Sequence, residues 1–523
     1  MRLLPAGDCA LLVELADLPA VLALLDRLRE SPLPGAVELI PGARTLLLRW
    51  QPGQARRADL ASALQALELE AGAAAPASGR EIEIPVRYDG ADLAEVAALT
   101  GLPVAEVIRR HSATPQVVAF AGFAPGFAYL TGGDPALQVP RRQSPRPRIP
   151  PGSVAIAGPF SGIYPRESPG GWQILGTTPL AMWDLDRARP ALLQPGDRVR
   201  FRQMGVDEPW PPAKPARARP QAQPALRVLA APLPLLFQDA GRPGRAGQGV
   251  SASGAADPVA LAAANRAVDN PPGAPCLEIT LGGVELLAEA PAELALAGAP
   301  TALRLTGAAG EVTAPGFGTR FTVQPGDRLW IAPPRAGLRS YLSARGGFAA
   351  QPVLGSVATD TLSGIGPAPL RRGDGIALGA LPPVASAPAP AALFAPPAPG
   401  ETVTLDIRPG PRSDWFTPEA LARLTGAAWQ VTPQSSRVGL RLAGPQPLTR
   451  ARLEELPSEG MVPGALQVPH GGQPVLFLAD HPLTGGYPVI AVLAGHHLAL
   501  AGQLPPGARL RFRLLEPWPA PLA

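Results

Sequence analysis

Apolar and polar positions along this chain repeat with two periods, and the shorter one dominates. In LPAVLALLDRLRES (residues 18–31) apolar side chains recur at helical spacing with charges opposite, and Pro19 suits a first helical turn. The spacing predicts an amphipathic helix. ARTLLLRW (residues 43–50), with Leu46, Leu47 and Leu48 at its centre, predicts a buried strand. QPGDRVRF (194–201), QPGDRLWI (324–331) and PPGARLRF (505–512) share one pattern, a Pro-Gly turn followed by alternating arginine and apolar residues. Proline presets the turn, glycine takes the positive-φ position, and alternation puts one strand face in a core. A second echo pairs PPGSVAIAG with VPGALQVPH, each followed by Gly-Gly-aromatic. Repeated hairpins of this kind predict related β-barrel units. DLAEVAALTGLPVAEVIRRH (92–111) has the outline of a helix-turn-helix. Its second helix opens with Pro103, Val104 and Ala105, which read no bases, so a helical hairpin packed on a barrel is expected. Asp257 and Pro258 form a helix start, as N-cap and first-turn residue.

Two Pro/Ala-rich stretches, 208–225 and 386–399, read as extended linkers. With a shorter break at AGAAAPASG (71–79), they divide the chain into a small N-terminal α/β piece (1–76), a barrel (77–207), a first β-rich domain (226–385) and a second barrel (400–523). The expected class is mainly β with α/β portions.

Composition narrows the chemistry. Aromatics are 5% of 523 residues, so cores must rest on Ala, Leu and Val; 57 glycines and 69 prolines favour short strands and turns. A net charge of +4 is small for this length and does not call for nucleic acid. Lys214 is the sole lysine, and it lies in a proline-rich run. A Gly-Lys-Ser/Thr phosphate loop and a biotinyl-lysine carrier are therefore excluded, and a lysine Schiff base has one candidate. Cys9 and Cys276 form neither a disulfide framework nor a metal knuckle. The opening MRLLPAGDCALLVEL lacks a signal-peptide core and no run spans a membrane, so a cytoplasmic protein is expected.

Candidate chemistry concentrates in loops. FAGFAPGFAYL (120–130) sets Phe120, Phe123, Phe127 and Tyr129 among Gly122, Pro125 and Gly126, where neither a strand nor a helix is clean. It is expected to enter a barrel strand, with Phe123, Phe127 and Tyr129 as an apolar pocket wall and Gly122 and Gly126 presenting N–H groups. The competing expectation is a tight corner whose aromatics fill the core. Arg141, Arg142, Arg146, Arg148 and Arg166 cluster beside Gly170, Gly171 and Trp172; arginine forks bind carboxylate or phosphate, and glycines admit an acyl or phosphoryl group to the backbone. Gln238, Asp239 and Arg242 are site candidates or a structural ion pair. His111 precedes the aromatic loop and is a candidate base, as is Asp480. His470 and His481 lack ligand spacing with a carboxylate, and His496–His497, read as a strand, would face opposite ways, so no metal is expected.

Together HSATPQVVAFAGFAPGFAYL, PRIPPGSVAIAG, YPRESPGGWQILGTTP and PGDRVRF resemble the B subunit of 5-oxoprolinase, also called allophanate hydrolase subunit 1. FQDAGRPG, GVSASGAADPVALAAANRAVDN, SYLSARGGF, VLGSVATD, SSRVGLRL and SEGMVPGALQVP with TGGYPVI resemble the C subunit of 5-oxoprolinase, or allophanate hydrolase subunit 2. The resemblance covers nearly the whole chain and implies a B–C fusion with cyclophilin-like barrels, related to the carboxyltransferase domain of urea carboxylase. It also implies ATP-dependent opening of 5-oxoproline to glutamate with a separate 5-oxoprolinase A subunit of the lactam-utilisation type, which is a natural place for ATP and its Mg. A homo-oligomer is compatible with it. Biotin-dependent carboxyl transfer and non-catalytic binding of a histidine kinase are the alternatives. On the matching motifs, His111, Arg148 and Asp480 are candidate catalytic residues. Gly122, Phe123, Pro125, Gly126, Phe127, Arg146, Arg166, Gly170, Gly171, Trp172, Gln238, Asp239, Arg242, Arg437, Gln467, Gly485, Gly486 and Tyr487 are candidate substrate-binding residues. Departures from the family pattern stand at Ser436, Leu440, His481 and Leu483, and at Val489, where the family often has lysine.

Overall fold

The computed structural model describes residues 1–67, 79–142, 144, 146–205, 208–210, 223–384 and 394–519. Lys214 and most of the proline-rich stretches lie outside these residues.

The run ARTLLLRW is apolar at its centre because its strand is covered on both faces. Four antiparallel strands form the N-terminal sheet, in the order Arg2–Pro5, Ala10–Glu14, Thr45–Trp50, Ala36–Pro41. The predicted helix forms as Leu18–Glu30, with the Asp17 carboxylate accepting the Ala20 N–H at 2.9 Å and Pro19 in the first turn. This helix and Arg57–Gln65 cover Val13, Leu46, Leu48 and Trp50. Leu12, Ile40 and Leu47, on the other face, pack against Met461, Val462, Phe477 and Val489 from the far end of the chain. Val489 thus fills a core position where a lysine would have to bury its charge.

Two seven-stranded barrels share one connectivity. In the first, Arg198–Gln203 lies between Glu81–Val86, to which it is parallel, and Gln116–Ala121, to which it is antiparallel. In the last, Arg509–Leu514 lies in the same way between Thr402–Pro409 and Trp429–Val431. The last barrel is closed; the first meets end to end through an Arg87–Thr177 bridge. Both return strands follow the repeated turn. Gly196 and Gly507 have φ of 92° and 89°, and the Asp197 N–H donates to the Gln194 carbonyl at 3.0 Å, as a type II turn requires. The third copy has the same turn at Gly326, but its strand, Arg328–Ile331, is antiparallel to both neighbours. It belongs to a domain of one seven-stranded and one five-stranded sheet packed around Leu226, Phe237, Leu277 and Ile331. The repeat therefore extends to topology in two units and stays local in the third.

The helical hairpin forms as Leu93–Thr100 and Val104–Ala113, turning at Gly101 (φ 68°) and packing Val96 and Val107 on Ile156 and Leu175 of the first barrel. Asp257 caps helix Pro258–Ala267 by accepting the Ala260 N–H at 2.9 Å. Among the described residues no helix is long and apolar enough to cross a membrane.

Candidate functional site

The aromatic loop divides its side chains between two tasks. Residues 122–127 join strands Gln116–Ala121 and Ala128–Thr131 in a tight corner. Phe120, Phe127 and Tyr129 are buried in an aromatic cluster with Tyr164 and Trp172, whose ring lies 5.4 Å from that of Phe127. Phe127, Tyr129 and Trp172 are therefore core residues, not pocket wall. Phe123 sits at the edge of this cluster, its ring 5.2 Å from that of Phe127, and also lines a cavity. Its φ of 63° is unusual for a bulky side chain, and its N–H donates to the Thr484 hydroxyl at 3.0 Å. Gly122 permits this contact, since a Cβ there would lie 2.7 Å from Thr484 Oγ1. The expected free amides are not free: Gly122 N–H donates to the Phe127 carbonyl and Gly126 N–H to the Gln248 carbonyl.

Phe123 and Pro125 line a cavity of about 230 Å³ where the first barrel, the two-sheet domain and the last barrel meet. The first barrel also contributes Arg166 and Ser168, the two-sheet domain Ser251, Asp360, Leu362 and Ser363, and the last barrel Phe477, His481 and Leu483. A pocket of this size, apolar-walled with few polar groups, suits a small metabolite.

Its polar groups differ in how they are partnered. Arg166 is half-buried, and no hydrogen bond or acid partner of its guanidinium is found among the described residues. His481 is 2% exposed; among the described residues its ring nitrogens make no well-aligned hydrogen bond, with the Leu478 and Ala479 backbone beside them, and burial pushes its pKa down to about 4, so the ring is neutral near pH 7. The Ser363 hydroxyl lies beside the Asp360 carboxylate and favours its charged form. Asp360 is 1% exposed; its Oδ1 accepts the N–H groups of Leu362 and Ser363 at 2.9 Å each, and Oδ2 lies 2.8 Å from the Ser251 hydroxyl. Burial, and then the neighbouring Asp480 carboxylate, hold Asp360 above the usual carboxylate range.

Asp480 is a scaffold rather than a base. It accepts from Arg437 at 2.9 Å on both oxygens, from the Ser253 hydroxyl at 2.6 Å, and from Thr361 N–H and hydroxyl at 2.8 and 2.7 Å. Burial opposes its ionisation, but Arg437 outweighs burial and keeps the pKa low. Arg437 also clamps Glu278 at 2.6 Å, tying the two-sheet domain to the last barrel. Gln238, Asp239 and Arg242 hold the segment leading to Asp360. The Gln238 amide donates to the Thr359 carbonyl at 2.8 Å, Arg242 donates to the Val353 and Ala358 carbonyls, and Asp239 accepts from Ser356 Oγ and Val357 N–H.

Three of the other arginines are committed elsewhere. Arg146 forms a two-pronged pair with Asp92 at 2.6 Å, Arg142 shares the same carboxylate, and exposed Arg148 pairs with Glu167 at 2.9 Å. Gly170 lies in strand Ser168–Gly170, where a Cβ would meet the Tyr164 hydroxyl at 2.2 Å, and the Gly171 carbonyl accepts the Arg142 N–H. Gln467 donates to the Tyr487 carbonyl at 3.1 Å, and both line a separate groove; Gly485 pairs with Glu459, and Gly486 abuts Arg141. His111 lies away from the junction cavity. It occupies the buried face of its helix, 4.4 Å from the Phe201 ring, with Nδ1 2.7 Å from the Tyr88 hydroxyl. His496 and His497 lie in a 3-10 turn, not a strand, and so converge on Asp406. Arg513 grips that carboxylate at 2.6 and 2.9 Å, and His497 Nδ1 accepts the Asp406 N–H, so the cluster's ligand positions are already occupied. Two residues of the cavity go beyond the sequence-based site. Asp360 carries no signal there except that it ends the motif VLGSVATD, and His481 stands out only as a metal candidate and a family departure.

The chain matches two parts of one family along most of its length. The family described as carboxyltransferase domain, subdomain A and B, matches residues 248–514, and that described as carboxyltransferase domain, subdomain C and D, matches residues 1–193. The chain is 43% identical over 203 residues to the 5-oxoprolinase B subunit of Escherichia coli O157:H7, a match covering 37% of this chain and 92% of that one. It is 36% identical over 295 residues to the 5-oxoprolinase C subunit of Escherichia coli strain K12, covering 55% and 90%. The crystal structure of TTHA0988 superposes with a TM-score of 0.81 at 36% identity, covering 96% of this chain and 99% of that one.

Proposed function

Since this chain belongs to the carboxyltransferase-domain family and joins a half like the 5-oxoprolinase B subunit to a half like the C subunit, we propose that it is a component of an ATP-dependent 5-oxoprolinase, opening 5-oxo-L-proline to L-glutamate with a separate A subunit. One observation carries the reading. Three structural units converge on a small apolar-walled cavity that holds a guanidinium unpaired among the described residues and a buried, neutral imidazole. A small cyclic acid supplies what these groups lack. Its carboxylate pairs with Arg166, its ring packs against Phe123, Leu362 and Phe477, and its polar edge meets His481 and Asp360.

Arg146 and Arg148, the cations expected to face phosphate, are paired with Asp92 and Glu167. This pairing supports a reading in which the A subunit binds ATP and Mg and this chain receives the activated lactam. The neutral His481 ring then accepts a proton from the attacking water.

The test is to purify the chain with the A subunit and follow glutamate from 5-oxoproline with and without ATP. Glutamate formed only with ATP and only by the pair supports the proposal; its absence, or carboxyl transfer from carboxybiotin instead, overturns it.

A further inference from the structure

Opening a lactam through an activated oxygen raises a partitioning problem. When water adds to the ring carbon of an oxygen-phosphorylated lactam, the adduct carries a hydroxyl, a phosphate ester oxygen and a ring nitrogen with one hydrogen. If the carbon–oxygen bond to phosphate breaks, the lactam returns and the phosphoryl group is wasted. If the carbon–nitrogen bond breaks, an acyl phosphate and a free amine form, and a second water releases glutamate and phosphate. Phosphate is the better leaving group of the two. Nitrogen leaves first only if it gains a proton as the bond breaks.

The cavity contains one group suited to that transfer. We propose that Asp360 is the proton donor to the ring nitrogen, so that it decides between ring opening and futile loss of phosphate. The Asp360 proton goes to nitrogen, the carbon–nitrogen electron pair goes with it, and as the carbonyl forms the adduct hydroxyl proton passes through Ser251 to the Asp360 carboxylate, while His481 keeps the proton it took from the attacking water. This role rests on the 5-oxoprolinase reading above.

The geometry supports it in three ways. Asp360 lines the cavity, yet is buried away from bulk water. Its Oδ2 lies 2.8 Å from the hydroxyl of Ser251, which also lines the cavity and can relay a proton. Its surroundings act in both directions: burial and the Asp480 charge favour the neutral acid, while the Ser251 and Ser363 donors and the nearby Arg242 charge favour the carboxylate, and the first pair wins. Asp480 reaches the next residue, Thr361, and is kept anionic by Arg437, while Arg242 directs its hydrogen bonds to the Val353 and Ala358 carbonyls rather than to Asp360. Burial and the Asp480 charge both raise the Asp360 pKa, which keeps a carboxylic acid protonated closer to neutrality.

The experiment uses the full chain with the A subunit in water enriched in oxygen-18. For Asp360→Asn, which keeps the shape and loses the transferable proton, glutamate formation falls about 100-fold or more. Phosphate release falls much less, so the glutamate-to-phosphate ratio collapses. Recovered 5-oxoproline acquires the heavy oxygen, because expelling phosphate leaves the water oxygen on the ring carbon. Ser251→Ala shifts the same ratio in the same direction and serves if Asp360→Asn does not fold. A wild-type pair that forms glutamate, together with variants that keep its ratio and leave recovered 5-oxoproline unlabelled, overturns the Asp360 role alone. A wild-type pair that forms no glutamate overturns the function proposed above and this role with it.

Discussion

Arg166 and Arg148 lie eighteen residues apart in one basic loop region and have opposite prospects. Arg148 is exposed and already paired with Glu167. Arg166 faces the cavity and pairs with no acid among the described residues, its neighbour Glu167 being taken by Arg148. Arg166→Ala is expected to raise KM for 5-oxoproline about 10- to 100-fold, the loss of one charged hydrogen-bonded contact of about 1.5–3 kcal/mol. Arg148→Ala leaves KM near wild type; steady-state kinetics distinguish them. The aromatic loop divides in the same way. Phe127→Ala empties a packed site and costs about 3–5 kcal/mol, seen as early melting. Phe123→Ala, at the edge of the cluster, is expected to cost less stability than Phe127→Ala and to weaken substrate binding, measured by calorimetry. The sequence shows that arginines and aromatics gather here. It does not show which are occupied, because the acid that takes Arg142 and Arg146 stands some fifty residues away at Asp92.

At the level of elements, that same Asp92 ties the helical hairpin to strand Arg146–Ile149 and, by accepting the Ile174 N–H at 2.8 Å, to the barrel. Asp92→Ala strands Arg146, leaves Arg142 with Glu95 alone, and is expected to cost about 3 kcal/mol, with faster proteolysis around residues 141–149. Burial opposes the Asp92 charge, but Arg146 and the Ile174 N–H outweigh burial and lower its pKa. Its contribution is therefore full above the unfolded carboxylate value near pH 4 and is lost as pH falls through the lowered folded value. His111 acts over a higher window. Burial lowers its pKa from 6.5 to about 3, so the unfolded chain takes up a proton that the folded chain refuses. Stability falls as pH drops from about 6.5 towards 3, and His111→Phe flattens that part of a melting-temperature profile. Helices, strands and the Pro-Gly turns are legible in the sequence because each follows from local period and turn chemistry. The placement of His496 and His497 is not, since a short 3-10 turn carries no period of its own.

Over the whole molecule, two interfaces replace the covalent link between the halves. Arg412, buried, donates to Glu459 of its own half and to Glu14 of the other at 2.8 Å, and Arg2 reaches Asp414 at 3.3 Å. Residues 1–210 and 223–523 expressed as two polypeptides are expected to elute as one complex in gel filtration, and Arg412→Ala to weaken it by leaving Glu459 buried without its cation. The fused-halves organisation is legible from motifs. The junction cavity is not, because its walls come from three stretches whose proximity depends on docking, and no local pattern records docking.

The doubly covered N-terminal sheet also sets an order of events during synthesis. Leu12, Ile40 and Leu47 leave the ribosome long before Met461, Phe477 and Val489, which cover them. One face of the first sheet therefore stays bare while the intervening chain is made, a long exposure of sticky surface of the kind that recruits chaperones. When the two halves are made as separate polypeptides, that wait becomes a search for a partner, and fusion turns the search into a tethered encounter.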